Sequence, residues 1–293
     1  MHLAKDQRLV AWIGTGVMGR SMAAHLRKAG WRLVVFNRSR EKAEDLLRAG
    51  AQWASSAGEA AARADVVFTM VGFPHDVREV YLGQGGIVER ARPGALLVDM
   101  TTSEPTLAGE IARAAEARGL HALDAPVSGG DIGAREARLS IMVGGGAEAF
   151  AAARPFFEIL GKQIVHHGGP GAGQHAKMCN QINVATTVMG LVESLLYAKK
   201  AGLDPAKMIE SVGSGAASSW SLVNYGPRIL RGDFNPGFYV RHFIKDMDIA
   251  LAEAKRMNLP TPCLQLARDL YQKVVDLGGE NLGIQALYLA MDK

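Results

Sequence analysis

Over the first 165 residues, short β-branched runs alternate with Ala-rich, charge-bearing segments, the pattern of βαβ units that build a parallel sheet. Strands are expected at 9–13, 32–37, 66–71, 96–99, 122–124, 140–143 and 163–166, and helices between them at 18–29, 40–49, 74–81, 105–118 and 147–160. The intervals are short, as crossover units demand. Past the glycine-rich turn at 168–173 the grammar changes, because apolar residues recur at helical spacing through Leu203, with Gly190 the interior glycine and no proline. A helix of about thirty residues would run about 45 Å, long enough to leave one domain and form the spine of another. Gly202 supplies the C-terminal stop, and Asp204-Pro205 reads as an N-cap followed by proline at the first helical position. Later segments, including 246–258 and 264–277, read as helix punctuated at Gly232, Pro236-Gly237 and Pro260. An α/β domain over residues 1–167 and an all-α domain over 168–293 follow from this division.

Composition narrows the classes of function. The 33 basic and 29 acidic residues are interspersed, with no block of like charge that would form a nucleic-acid arm. An anionic cofactor and a small carboxylate are partners enough for a net charge of +4. Cys179 and Cys263 are too few for a disulfide framework and are spaced like no metal site, which points to a reducing compartment. His166-His167, being adjacent, lacks the i, i+4 geometry of a helical metal site, so no metal is expected. The N-terminal segment MHLAKDQRLVAWIGTG lacks the apolar core of a signal peptide, and no stretch is apolar enough to cross a membrane. A soluble cytoplasmic protein without membrane or nucleic-acid partners is the expectation.

Gly14-Thr15-Gly16-Val17-Met18-Gly19 sits between an expected strand and an expected helix, the context that lifts GxGxxG above a bare glycine-rich turn. Gly14 permits the tight turn, Gly16 lets backbone approach a pyrophosphate, and Gly19 lets helix and strand pack closely. The first domain is therefore expected to be of the Rossmann type, followed by the all-α domain on its long interdomain helix. About twenty residues on, an NAD-binding chain places a carboxylate for the ribose hydroxyls, but here the sequence reads Asn37-Arg38. Without that carboxylate a 2′-phosphate meets no repulsion, and Arg38 offers a planar fork for it. NADP(H) is preferred on this reading, with NAD(H) still possible, since Arg38 could also be a solvated turn residue.

Lys177 lies near the start of the long helix, with Asn180 and Gln181 three and four residues later on the same face. Taken alone, such a lysine more often marks a solvated face. Five further segments change its weight: Asp99-Met100-Thr101-Thr102, Asp124-Ala125-Pro126-Val127-Ser128-Gly129-Gly130, Gly133-Ala134, Gly171-Ala172-Gly173 and Lys245-Asp246. With the glycine loop they make the chain resemble, over nearly its whole length, the β-hydroxyacid dehydrogenases. That family includes 3-hydroxyisobutyrate dehydrogenases, tartronate semialdehyde (2-hydroxy-3-oxopropionate) reductases and glyoxylate/succinic semialdehyde reductases.

The resemblance implies an oxidoreductase that interconverts a small β-hydroxy acid and its semialdehyde or keto acid. It implies Lys177 as general acid/base, Ser128, Gly129 and Gly130 as holders of the substrate carboxylate, and Asn180 beside the reacting centre. Gln181 stands where relatives differ by substrate. Thr102 would approach the nicotinamide, Lys245 would close over the site, and Asp246 would act directly or anchor a helix start. Partial burial and the Lys245 cation would lower the lysine pKa toward a useful range. The family usually has a glycine before the strand that starts near Leu139, where this chain has Ala137-Arg138.

Two other functions share the architecture. An imine reductase would replace the lysine, and a catalytically silent NADP-binding interaction protein would tend to lose it, so Lys177 with the Ser128-Gly129-Gly130 clamp argues against both. Trp220 reads as a core tryptophan more readily than as a pocket wall. Val184, Val188, Leu191, Leu195 and Leu196 give the long helix more apolar circumference than one small helical domain should cover, so a homodimer or homotetramer is expected.

Overall fold

Alternation along each strand decides which side of the sheet a residue serves. In β1 (Leu9–Ile13), Val10 and Trp12 enter one apolar core while Ala11 and Ile13 enter another, and all four are buried. β2 (Arg32–Phe36) divides likewise, with Leu33 and Val35 on one side and Val34 on the other. A sheet buried on both faces must be covered on both, and that is why helices separate the strands. The computed structural model describes residues 9–292; residues 1–8, on which the reading of the N-terminal segment partly rests, and Lys293 lie outside the described residues.

From β1 the chain runs through α1 (Val17–Lys28), β2, a 3-10 turn, α2 (Glu44–Arg48), β3 (Gln52–Trp53), α3 (Ala57–Arg63) and β4 (Val66–Thr69). Then come α4 (Pro74–Leu82), α5 (Ile87–Arg90), β5 (Leu96–Asp99), α6 (Pro105–Glu116), β6 (His121–Asp124), β7 (Val127–Ser128) and α7 (Gly130–Arg135). β8 (Leu139–Gly145), α8 (Ala147–Leu160) and β9 (Gly161–Gly168) complete the α/β part. The strand order is β3-β2-β1-β4-β5-β6-β8-β7, with β9 on β8. Order reverses beside β1, and such a switch point opens a crevice beyond the carboxyl ends of the strands.

The sheet is not wholly parallel as the alternation predicts. β6 and β7 both pair antiparallel with β8, through Leu123↔Gly145 and Val127↔Ile141. The physical reason is the connection: only the six-residue α7 lies between β7 and β8, too little for the crossover that a parallel neighbour requires. Within it Ala137 takes φ +52, a left-handed conformation at the place where the resembling family favours glycine. The two-residue β3 and the Ala-rich α3 carry too little hydrophobic periodicity to be read from sequence.

The helical part comprises α9 (Ala172–Lys200), α10 (Pro205–Gly213), α11 (Trp220–Leu230), α12 (Val240–Arg256), α13 (Pro262–Asp276), a 3-10 turn and α14 (Leu287–Met291). Gly202 takes φ +74 after α9, and the Asp204 carboxylate accepts from the Ala206 and Lys207 N–H groups before α10, as the sequence predicts. Two compact units result, the first ending at Lys177 and the second beginning at Met178, so α9 belongs to both.

Three expectations need correction in the second unit. Val188, Leu191 and Leu195 are buried in that unit's own core, with Val184 and Leu196 packed against it, because α11, α12 and α13 cover more of α9 than its periodicity suggests. Trp220 is 50% exposed; it follows the N-cap Ser219, and its ring meets Tyr225 edge-on at 5.1 Å instead of entering the core. Asp246 starts no helix. α12 begins six residues earlier because Val240, Phe243 and Met247 already carry its buried stripe.

Candidate functional site

The glycine loop leaves β1 at its carboxyl end. Gly14 has φ +93, and a Cβ there would stand 2.1 Å from the Met70 carbonyl oxygen. A Cβ on Gly19 would stand 2.0 Å from the Gly14 oxygen, so loop and helix approach as closely as only glycine allows. Gly16 is different: nothing lies within 4 Å of where its Cβ would be. It is also the N-cap of α1 and offers no side-chain partner to the first turn, where Val17 is exposed and Met18 half-buried. Open space before uncapped N–H groups suits a pyrophosphate. The Thr15 hydroxyl is buried without a protein partner, a further polar group that a bound dinucleotide could satisfy. The residues present therefore fit the cofactor.

Asn37 braces this loop. Its Oδ1 accepts from Thr15 N at 3.0 Å and its Nδ2 donates to Ser39 O at 2.9 Å. Arg38 is exposed at the end of β2 and donates from Nη1 to Asp76 Oδ1 at 3.0 Å. Arg40, two residues on, lies over the Trp53 ring at 5.5 Å.

Beyond β5 and β6 the loops are tied to the start of α9. Asp124 accepts from Gly171 N through Oδ1 and from Gln174 N through Oδ2, both at 2.8 Å. Gln174, fully buried, accepts from Ser103 N at 3.0 Å and donates to Thr101 O at 2.7 Å. Gly173 is required here, since a Cβ would stand 2.4 Å from the Met142 oxygen. Lys177, one helical turn past Gln174, is buried, with 6% of its surface exposed. Thr102 is half-buried in the same loop as Thr101 and Ser103.

Two carboxylates lie side by side beneath this corner, Asp99 pairing in register with Asp124. Burial pushes the Asp99 carboxyl up to about 6, against the hydrogen bonds it accepts from Thr69 and Thr101. Burial also raises Asp124, while the Gly171 and Gln174 N–H groups pull it down.

Ser128 ends β7 half-buried, and Gly129 and Gly130 follow with φ +128 and +63. Nothing stands within 4 Å of where a Gly130 Cβ would be, so space lies open beside this backbone. In the second unit, Asn180 donates to Gln181 at 2.7 Å, Gln181 donates to Asp246 Oδ2, and Lys245 Nζ pairs with Asp246 Oδ1 at 2.8 Å. Asp246 thus joins Asn180, Gln181 and Lys245 in one chain of contacts. His166 is spent locally: Nε2 lies 2.8 Å from Gly145 O and the ring stacks on Phe150. Among the described residues no group of acidic, histidine or cysteine side chains could hold a metal.

Sequence reading missed Gln174, Asp76 and the anchoring role of Asp124. Asp124 was visible within its motif, yet nothing local shows that its oxygens reach N–H groups nearly fifty residues away. Gln174 had no signal beyond its place one turn before Lys177.

A glycine-looped parallel sheet joined through a long helix to an all-helical unit defines a nicotinamide-dinucleotide oxidoreductase. Residues 9–169 match the NAD-binding domain of 6-phosphogluconate dehydrogenase, and residues 171–291 match the NAD-binding domain of NADP-dependent 3-hydroxyisobutyrate dehydrogenase. An Arabidopsis thaliana protein described as a probable mitochondrial 3-hydroxyisobutyrate dehydrogenase-like 1 is 51% identical over 285 residues, 97% of this chain and 85% of its own. The 2-hydroxy-3-oxopropionate reductase of Escherichia coli is 39% identical over 97% of each chain. A Mycobacterium tuberculosis 3-hydroxyisobutyrate dehydrogenase solved with L-serine superposes with a TM-score of 0.89 at 32% identity, over 98% of this chain and 99% of that one. The chain belongs to the 3-hydroxyisobutyrate dehydrogenase/β-hydroxyacid dehydrogenase family, NAD(P)-dependent enzymes acting on CH–OH groups. Among the described residues no helix is long and apolar enough to cross a membrane.

Proposed function

We propose that this enzyme prefers NADP(H) and interconverts a small β-hydroxy acid with its semialdehyde or keto acid, using Lys177 as general acid/base. The observation that carries the reading is a buried lysine one turn into a helix whose start is fastened to the carboxyl ends of β5 and β6. When bound, the cofactor supplies or accepts the hydride. Lys177 Nζ takes the hydroxyl proton as the alcohol is oxidised and returns it to the oxygen in reduction. Ser128 and the Gly129 and Gly130 N–H groups hold the substrate carboxylate, and Asn180, with Gln181, orients the reacting oxygen. Thr102 and Lys245 serve the nicotinamide end of the cofactor, while the Gly14–Gly19 loop, Asn37 and Arg38 serve the rest.

Support for NADP(H) comes from Asn37-Arg38, with no carboxylate at the end of β2 and an exposed guanidinium in its place. A 340 nm absorbance assay with 3-hydroxyisobutyrate, D-glycerate, L-serine, 4-hydroxybutyrate and the corresponding semialdehydes, run with both cofactors, tests the reading. At least one pair should turn over faster with NADP(H), and Arg38→Asp should reverse the preference by about tenfold or more, the scale of a lost charge-assisted phosphate contact. Silence across the panel would end the small β-hydroxy acid proposal, and a wild type faster with NAD(H) would end the cofactor proposal.

The exposed free thiols of Cys179 and Cys263 suit a reducing compartment, and we place the enzyme in the cytoplasm. The homo-oligomer remains our proposal on different ground from the long helix. Tyr197, Leu203, Met257, Leu259, Leu266 and Leu277 each leave more than half their surface exposed on the second unit. Light scattering at micromolar concentration should give at least a dimer, and one species near 31.3 kDa would refute it.

A further inference from the structure

Asp76 is buried, with 6% of its side chain exposed, yet it faces the most exposed charge of the candidate cofactor site. Its Oδ2 accepts from Phe73 N at 3.0 Å and fastens the first turn of α4. Its Oδ1 meets Arg38 Nη1 at 3.0 Å, and the Arg38 side chain is otherwise 80% exposed. His75, stacked on the Phe73 ring, brings Nε2 to 3.7 Å from the same oxygen. One carboxylate therefore serves a structural bond with one oxygen and a specificity charge with the other.

We propose that Asp76 is a specificity-determining residue that tempers the preference for the 2′-phosphate and keeps NAD(H) usable by the same site. The inference rests on the NADP(H) reading of Arg38 given above. Two opposed effects decide its sign. Holding the guanidinium in place favours a phosphate, but an ion pair whose arginine is four-fifths exposed orders it by only about two- to fivefold in binding. A phosphate bound to the outer side of Arg38 would stand ~8 Å from the carboxylate. A full negative charge acting on a near-dianion over that distance, along a largely aqueous path, weakens binding by roughly five- to tenfold. Repulsion outweighs ordering, and NAD(H), which lacks the phosphate, escapes the penalty.

Asp76→Asn removes the charge while its amide oxygen can still accept from Phe73 N; the amide nitrogen, a donor like Arg38 Nη1, releases the guanidinium, so the variant reads repulsion and ordering together. Dissociation constants for NADP+ and NAD+ measured by calorimetry give an affinity ratio in which any general damage cancels, and thermal melting reports the fold. In 50 mM salt the ratio favouring NADP+ should rise about two- to fivefold in the variant, the repulsion removed less the ordering lost. In 1 M salt, where the screening length is about 3 Å, the gain should shrink toward unity. An unchanged or lower ratio in a folded variant, with the wild type still preferring NADP+, would overturn this proposal alone and leave the reading of Arg38 standing. A wild type that binds NAD+ more tightly would remove that reading, and this proposal with it. Should Asp76→Asn not fold, Asp76→Ser, which keeps an acceptor near Phe73 N without the charge, is measured in the same way and judged by the same outcomes.

Discussion

Lys177→Ala lowers kcat by at least about a hundredfold in the expected result, while the dissociation constant for the cofactor changes little. General acid–base assistance contributes typically 10²–10⁴-fold, and nothing else in the side-chain set named for substrate binding can exchange a proton in the same way, for Ser128 is a weak base and Asn180 an amide. The lysine is buried, so truncation also leaves a small cavity, and thermal melting of the variant must accompany the kinetics. A primary isotope effect with deuterated substrate gives a second reading. If proton transfer becomes limiting, the effect on hydride transfer falls or the pH dependence changes. Wild-type turnover in a folded Lys177→Ala enzyme would strike the lysine from the mechanism.

Asp124→Ala is the second large effect, and it concerns the helix that carries Lys177. Removal of the carboxylate strips partners from Gly171 N and Gln174 N, both in a buried corner where a lost partner costs about 1–3 kcal/mol each. Part of that is returned, because burial already disfavours the charged form of Asp124. The net loss should be about 2–4 kcal/mol in denaturant unfolding of the first unit. Turnover should fall about tenfold as well, since a displacement of about an ångström at a catalytic group is enough for a loss of that order or more. Asp124→Asn keeps one acceptor oxygen and should lose about half as much stability. A variant as stable as wild type would show that the first turn of α9 holds its place without Asp124, and Gln174 would then be its main anchor.

Much of this molecule was legible in its sequence because the deciding interactions are local. The strand–glycine loop–helix unit at 9–28 needs nothing beyond its own spacing, and Asp204-Pro205 announces α10 for the same reason. Legibility failed where a fate is settled by distant partners. Asp124 gives no local hint that it caps α9, and Asp76 none that it meets Arg38 across thirty-eight residues. Val188, Leu191 and Leu195 show periodicity, but periodicity gives the width of an apolar face and not which neighbours cover it. Trp220 misled because bulk argues for a core, whereas its place just after an N-cap puts it at an exposed helix end.

The bracing by Asn37 bears on how such an enzyme could be redesigned. One amide bonds both Thr15 in the glycine loop and Ser39 beyond β2, and so ties together the two segments proposed to meet the pyrophosphate and the far ribose. Putting an acid at position 37 imitates NAD-binding relatives most directly, yet it keeps the acceptor for Thr15 and gives up the donor to Ser39. The new charge would also stand at the phosphate-binding loop itself. Retargeting the cofactor is better begun at position 38, where the side chain projects outward, with the amide beside it left as the fixed hinge pin of the site.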